Sequence, residues 1–257
     1  MEIFIVSFAA FLVAILTFFS GFGLGTILTP IFMIFFPPEL AIALTGIVHF
    51  SNNIFKLGLV GKFANKEVLI RFGIPAVLAA FLGSWILLNI PASEPIYSYT
   101  MFGKINQILP IKLLFSILLT LFALVDLIPY FAKLQFGKDK LPIGGFFSGF
   151  FGGLTGMQGA LRSAFLIKAG LSKEAFLGTT VVVSSLVDVT RLSVYATKMN
   201  AVGITNNLPL ILSAVLSAIL GAYIGNVLFK KVTLRFLQVL VAILLIFISI
   251  GLGAGFI

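Results

Sequence analysis

The sequence predicts an all-α membrane protein, a polytopic helical bundle of two inverted repeats, each opening with a glycine-broken helical pair. Three observations predict it. The chain of 257 residues is 60% hydrophobic and only 10% charged, with mean hydropathy +1.19. Apolar stretches of about 20 residues recur along it, the length that crosses a bilayer as a helix. Its lysines and arginines collect mainly in short loops between those stretches. A membrane β-barrel would alternate polar and apolar residues over stretches of about 10, and the sequence has no such pattern.

The apolar segments fall at 2–36, 39–61, 66–90, 110–132, 141–170, 173–198, 205–229 and 233–256. The first and fifth are too long for one straight crossing of a core about 30 Å thick, at about 1.5 Å per helical residue. Glycines interrupt both, at Gly21–Gly25 and Gly152–Gly159. Each is therefore read as two shorter helices joined at a turn. The N-terminal stretch lacks a basic start and a small-residue cleavage site, so the expectation is a retained segment rather than a signal peptide.

Charge placement predicts the orientation. Lys62, Lys66 and Arg71 follow the second segment, and Lys133, Lys138 and Lys140 follow the fourth. Lys168 and Lys173 follow the fifth, and Lys230, Lys231 and Arg235 follow the seventh. The positive-inside rule puts these four regions in the cytoplasm. The loop 91–109, with Lys104 offset by Glu94, and both termini then lie outside. Both ends of the fifth segment become cytoplasmic, so it enters and returns, whether as a re-entrant pair or as two crossings. The first segment does the same from outside. Each half makes an odd number of crossings and the halves are inverted, an architecture common among secondary transporters. The expected division is a first repeat at 1–132, a cytoplasmic linker at 133–140 and a second repeat at 141–257.

Sparse identities accompany this order. At an offset of 134, Gly25 meets Gly159, Ala41 meets Ala175, Thr45 meets Thr179 and Ser51 meets Ser185. At an offset of 138, Ala80 meets Ala218 and Gly83 meets Gly221. The first half carries a GxGxG turn at Gly21–Gly25 and a short helix ended by Pro37 and Pro38. The second carries GGxxSGxxGGLTG at Gly144–Gly156 and AxxGT at Ala175–Thr179. With these motifs the chain resembles the TauE/SafE sulfite exporter family over about residues 5–255. The family's second turn usually continues with more glycine and a proline, whereas this chain reads GMQGALRSAF, with Gln158 and Arg162. The resemblance implies a membrane transporter for sulfite or sulfonates. The residues alone imply a small anion.

Four groups of residues are candidates for that chemistry. Arg162 follows the second glycine break, and its guanidinium offers a planar fork of donors to an oxyanion. Gln158, Gly159, Gly23 and Gly25 stand at the breaks, where helix N-terminal N–H groups also favour anions. His49, Asn52, Asn53 and Lys56 follow i, i+3, i+4, i+7, one face of a helix. Asn52 and Asn53 can replace an anion's water shell, and His49 titrates near neutral pH and can couple a proton. Asp188 and Arg191 are neighbours on one helical face, read either as an internal salt bridge or as a pair that opens to substrate. Blander readings stand beside these: Arg162 snorkelling or pairing with Asp188, polar interhelical packing for the His49 face, and small-residue helix packing for the glycines.

The expected function is a secondary transporter or facilitator moving a small anion, sulfite or an organosulfonate, out across the cell membrane. An inside-negative potential favours that direction by about 2.3 kcal/mol per charge per 100 mV. The alternatives are an anion channel and a non-transporting membrane scaffold. The absence of a GxGD motif argues against reading Asp126 and Asp188 as an aspartyl protease, and one histidine without GxSG argues against a rhomboid-like enzyme. No ATP-binding motif supports a primary pump. With no cysteine, thiolate metal and iron–sulfur sites are excluded. No catalytic residue, metal or cofactor is expected. The expected partners are the anion and membrane lipid, without nucleic acid, and a homodimer is compatible with the chain.

Overall fold

The structure, a computed structural model, describes residues 2–18, 23–90, 94–101, 103–128, 136–166, 169–197, 207–228 and 234–257. Gly21 of the first glycine turn and the loop residues Lys133, Lys168, Lys230 and Lys231 lie outside the described residues.

Among the described residues the chain is a bundle of helices. Helix α1 is Glu2–Thr17, α2 is Leu24–Phe35 and α3 is Pro38–Val60. Extended backbone at Phe36 and Pro37 separates α2 from α3. Pro38 then opens α3 where its missing N–H is not needed. Helix α4 is Lys66–Leu88, capped by the Asn65 side chain, which accepts from the Val68 N–H at 3.0 Å. It carries a π-turn at Leu69–Gly73, two residues before Pro75, whose ring removes one helical donor. Helix α5 is Pro110–Leu127. Helix α6 is Leu141–Thr155, stopped by Gly156 at φ 81° in the left-handed region. Helix α7 is Gly159–Leu166, and α8 is Lys173–Ala196, capped by Ser172. Helices α9 and α10 are Leu208–Leu228 and Leu234–Gly253.

Four of the described helical stretches are long and apolar enough to cross a membrane: Pro38–Phe63, Lys66–Leu88, Lys173–Ala196 and Leu208–Val227. The outer faces carry exposed Phe4, Leu78, Leu216 and Phe247, as suits a lipid-facing surface.

The loop 91–109 holds an element the sequence reading did not anticipate. Strands β1 (Tyr97–Met101) and β2 (Lys104–Ile108) form an antiparallel hairpin, with Tyr97 opposite Ile108 and Met101 opposite Lys104. Gly103 supplies the positive φ of its turn. Tyr99 donates to the Ala254 carbonyl at 2.7 Å, fixing the hairpin beside the end of α10.

Helices pack in pairs: α1 on α9, α4 on α6, α5 on α10, and α3 on α8. Small residues set the two closest pairs. Gly145, Gly149 and Gly153 of α6 press against the backbone of Phe72, Ala76 and Ala80 of α4. Gly221 of α9 presses likewise on Phe11 of α1. In lipid, where apolar faces gain nothing from leaving water, such close approach is the main source of attraction. One apolar cluster joins α1, α2, α3, α5, α9 and α10; a smaller one joins α4, α6, α7 and α8. Helices α3 and α8 run antiparallel where the clusters meet. Gly46 lies by Leu192, His49 by Asp188 and Val60 by Gly178, in opposite chain order.

Candidate functional site

The polar faces of α3 and α8 meet between the two apolar clusters. Thr45, His49, Asn52, Asn53 and Lys56 are buried on α3, and Thr180, Ser184, Asp188 and Arg191 are buried on α8. A charge in such a place survives only with compensation. Asp188 supplies the centre of it and is 0% exposed. Its Oδ2 receives His49 Nδ1 at 2.6 Å and Asn53 Nδ2 at 2.8 Å. Its Oδ1 receives Arg191 Nε at 2.9 Å and has Nη2 of the same guanidinium at 2.9 Å as an ion pair. The carboxylate is thereby surrounded by donors from both halves of the chain. Against the Asp188 carboxylate, His49 Nδ1 is the donor.

Nε2 faces the first break. A Cβ added at Gly23, which sits at φ 79°, would lie 3.3 Å from it. A Cβ on Gly25 would lie 3.0 Å from the Gly156 carbonyl oxygen, so the start of α2 touches the end of α6. Gly156 in turn sits against Arg191: a Cβ there would come 2.7 Å from Nη1 and 3.7 Å from Thr29 Oγ1. Neither Nη1 nor Nη2 of Arg191 has a hydrogen-bond acceptor among the described residues, and Thr29 Oγ1 and Thr45 Oγ1 are buried without partners too. Nη2 keeps its ion-pair contact with Asp188, and Nη1, facing Gly156 and Thr29, is a buried donor without a hydrogen-bond acceptor among the described residues. Buried donors that remain unmatched are costly.

Arg162, first among the sequence candidates, is also buried, but it is held differently. Its Nη1 donates to Gln158 Oε1 at 3.1 Å and to Ser184 Oγ at 2.9 Å. Ser148 Oγ donates to the Gln158 carbonyl at 3.1 Å and braces the start of α7. Gln158 Nε2 is buried without an acceptor. Gly159 begins α7 immediately after.

The polar face of α3 divides. His49 and Asn53 turn to Asp188, while Asn52 turns to α9. In the amide orientation that satisfies both ends, Asn52 accepts from Lys56 Nζ at 3.2 Å and donates to the Ala218 carbonyl at 3.3 Å. Lys56 also stands over the Phe18 ring, 5.1 Å from its centroid.

The structure therefore gathers His49, Asn53, Asp188 and Arg191 with Gly23 and Gly25 in one knot. Arg162 with Gln158 lies beside it, and Asn52 points elsewhere. The candidates had included Lys56 only as the end of the polar face, and had not included Thr29, Thr45 or Ser184. Ser184 and Lys56 carried a signal, since Ser184 precedes Asp188 by one helical turn and Lys56 ends the periodic polar face. Thr29 and Thr45 carried none beyond being hydroxyls in apolar helices.

The model of the family described as Sulfite exporter TauE/SafE matches residues 6–252. The chain belongs to that family. No curated protein and no solved structure matches it. The family is one of membrane transporters and points to anion export. In this TauE/SafE chain the buried charged side chains among the described residues are Lys56, Arg162, Arg191 and Asp188, with His49 able to join them. Three basic side chains are thus buried with one carboxylate.

Proposed function

We propose that the chain is a secondary transporter or facilitator that carries a small sulfur oxyanion, sulfite or an organosulfonate, out of the cell. The observation that carries this is the outer edge of Arg191. It holds Nη1, a buried donor without an acceptor among the described residues, next to Gly156 and Thr29, in a cluster richer in cations than in anions. An oxyanion there would accept from the guanidinium in its preferred bidentate geometry. Arg162, Gln158 and the first turns of α2 and α7 would add positive potential from the sides.

In this reading the two halves, 1–132 and 141–257, are inverted repeats with both termini outside the cell membrane. The pairing of helices supports it: α1 with α9 answers α6 with α4, and α3 with α8 and α5 with α10 each join equivalent helices. The hairpin and the end of α10 share one end of the bundle. At the other end Asn65, beside Lys66, donates from its backbone to Thr179 on the first turns of α8. His49 and Asp188, bonded across the halves, act as the latch that couples or gates the movement.

The test is flux into and out of proteoliposomes with labelled sulfite, sulfate, sulfonates and carboxylates under imposed voltage. Saturable, voltage-dependent sulfite or sulfonate flux is expected. A folded protein that moves none of these anions would refute the reading.

A further inference from the structure

Helix α6 ends in a carbonyl that the helix itself does not serve. A helix passes each C=O to the N–H four residues on, so a continuing α6 would bring the Met157 N–H to Gly153. Gly156, at φ 81°, turns the chain away first, and the Met157 N–H goes to Thr155 Oγ1 at 3.3 Å. Gly153 is buried, and a buried carbonyl without a donor is costly. Two side chains from other helices reach its oxygen. Ser84 of α4 does so at 3.2 Å, but its single proton has a nearer acceptor in the Ala80 carbonyl, at 2.7 Å. Tyr195 of α8 donates at 2.6 Å and is itself 5% exposed. The phenol is therefore the donor that satisfies the broken end of α6.

The same bond bears on where Arg191 stands. Val187, Arg191 and Tyr195 follow at intervals of four on one face of α8. They meet the end of α6 at three glycines: Val187 at Gly152, Arg191 at Gly156 and Tyr195 at Gly153. Gly145, Gly149 and Gly153 lie against the backbone of α4, so α6 and α4 form one close-packed unit. Glycines give α8 no side chain to lock onto, and the Tyr195 hydroxyl supplies a directional tie to that unit instead. We propose that Tyr195 is a positioning residue for anion binding: its hydroxyl, bonded to the Gly153 carbonyl, holds α8 in the register that sets Arg191 Nη1 against the Gly156 turn. This rests on the anion-transport reading above. Tyr195 itself does not touch the anion; it acts through Arg191, one helical turn away. Without the hydroxyl, the Gly153 carbonyl loses its donor and the guanidinium loses its fixed place, while every group that binds the anion remains.

The experiment is the concentration dependence of radiolabelled sulfite flux in proteoliposomes, per folded molecule, for the wild type, Tyr195→Phe, Arg191→Gln and the double variant. Tyr195→Phe keeps the ring and removes the donor. Its half-saturating concentration should rise about three- to tenfold, the effect of one lost hydrogen bond, with a maximal rate close to that of the wild type. Placing 4-aminophenylalanine at position 195 returns a donor and should return half-saturation to the wild-type value. In the double variant Tyr195→Phe should add nothing to the effect of Arg191→Gln, since it acts through that residue. Three results overturn the positioning role and leave the transport reading standing: unchanged half-saturation in Tyr195→Phe, a rise that the amine does not reverse, or an effect that adds in full to that of Arg191→Gln. A folded wild type without saturable flux overturns the transport reading as well. Should Tyr195→Phe not fold, 4-fluorophenylalanine at 195, which fills the place of the hydroxyl without a donor, is measured in its stead. If that variant does not fold either, the bond serves folding alone and the inference falls.

Discussion

Replacing Gly156 with alanine tests the Arg191 edge from the backbone side. At φ 81° a non-glycine residue costs about 1–2 kcal/mol. The new Cβ would also stand 2.7 Å from Arg191 Nη1, closer than such atoms approach, so the guanidinium must shift. Losing charge-assisted hydrogen bonds to a bound anion removes about 1.5–3 kcal/mol. That is roughly a ten- to hundredfold weakening of affinity. Gly170 provides the control. It sits at φ 71°, so alanine there carries the same backbone strain, but its Cβ meets only the far end of the Lys138 side chain, at 3.6 Å. The assay is the concentration dependence of sulfite flux in proteoliposomes, normalised to folded protein. Gly156→Ala should raise the half-saturating concentration by about one to two orders of magnitude, and Gly170→Ala should leave it unchanged. Equal half-saturation in both variants would refute the placement of substrate at Arg191.

Three further outcomes follow from the same geometry. Arg162→Ala should abolish saturable transport per folded molecule, while Arg162→Lys should only weaken it, because the charge stays and the fork is lost; wild-type affinity and rate in Arg162→Ala would show the residue to be structural. Asp188→Asn removes the carboxylate that answers His49, Asn53 and Arg191, and should destabilise the protein by about 3–5 kcal/mol; an unchanged thermal unfolding midpoint in detergent would contradict the knot described here. Cysteines introduced at Lys104 and Lys138 should be labelled from opposite faces of the membrane, and labelling from one face would refute the inverted topology.

Much of the fold was legible because hydropathy and chain geometry dictate it. A segment near 35 residues is too long for one straight span, and among the described residues α1 ends at Thr17 and α2 begins at Leu24. The hairpin at 97–108 was not legible. Its strands are five residues each, mixed in polarity, and their pairing depends on contact with α10. In the site, Asp188 and Arg191 could be paired from their spacing, since a helix makes i, i+3 residues neighbours. The bond from His49 to Asp188 spans 139 residues of chain, and no local pattern encodes it. Helical periodicity found the polar face of α3 but could not divide it, because which member turns to α8 and which to α9 is decided by neighbouring helices. Arg162 stood out in sequence as a charge beside glycines. That Gln158 and Ser184 engage it, while Arg191 Nη1 is left without an acceptor among the described residues, is a tertiary fact. Gly153 illustrates the same limit: the sequence reading counted it in the glycine break, yet it lies inside α6, in close contact with Ala80 of α4.

The central claim is that a sulfur oxyanion crosses the membrane by way of Arg191. Efflux of radiolabelled sulfite from proteoliposomes, wild type against Arg191→Gln at equal folded protein, tests it most directly. The expected result is saturable wild-type efflux that rises as the interior is made more negative and falls by about tenfold or more in Arg191→Gln, the loss of at least about 1.4 kcal/mol of binding. Equal efflux from the two proteins, or a wild type whose efflux ignores voltage and does not saturate, would contradict it.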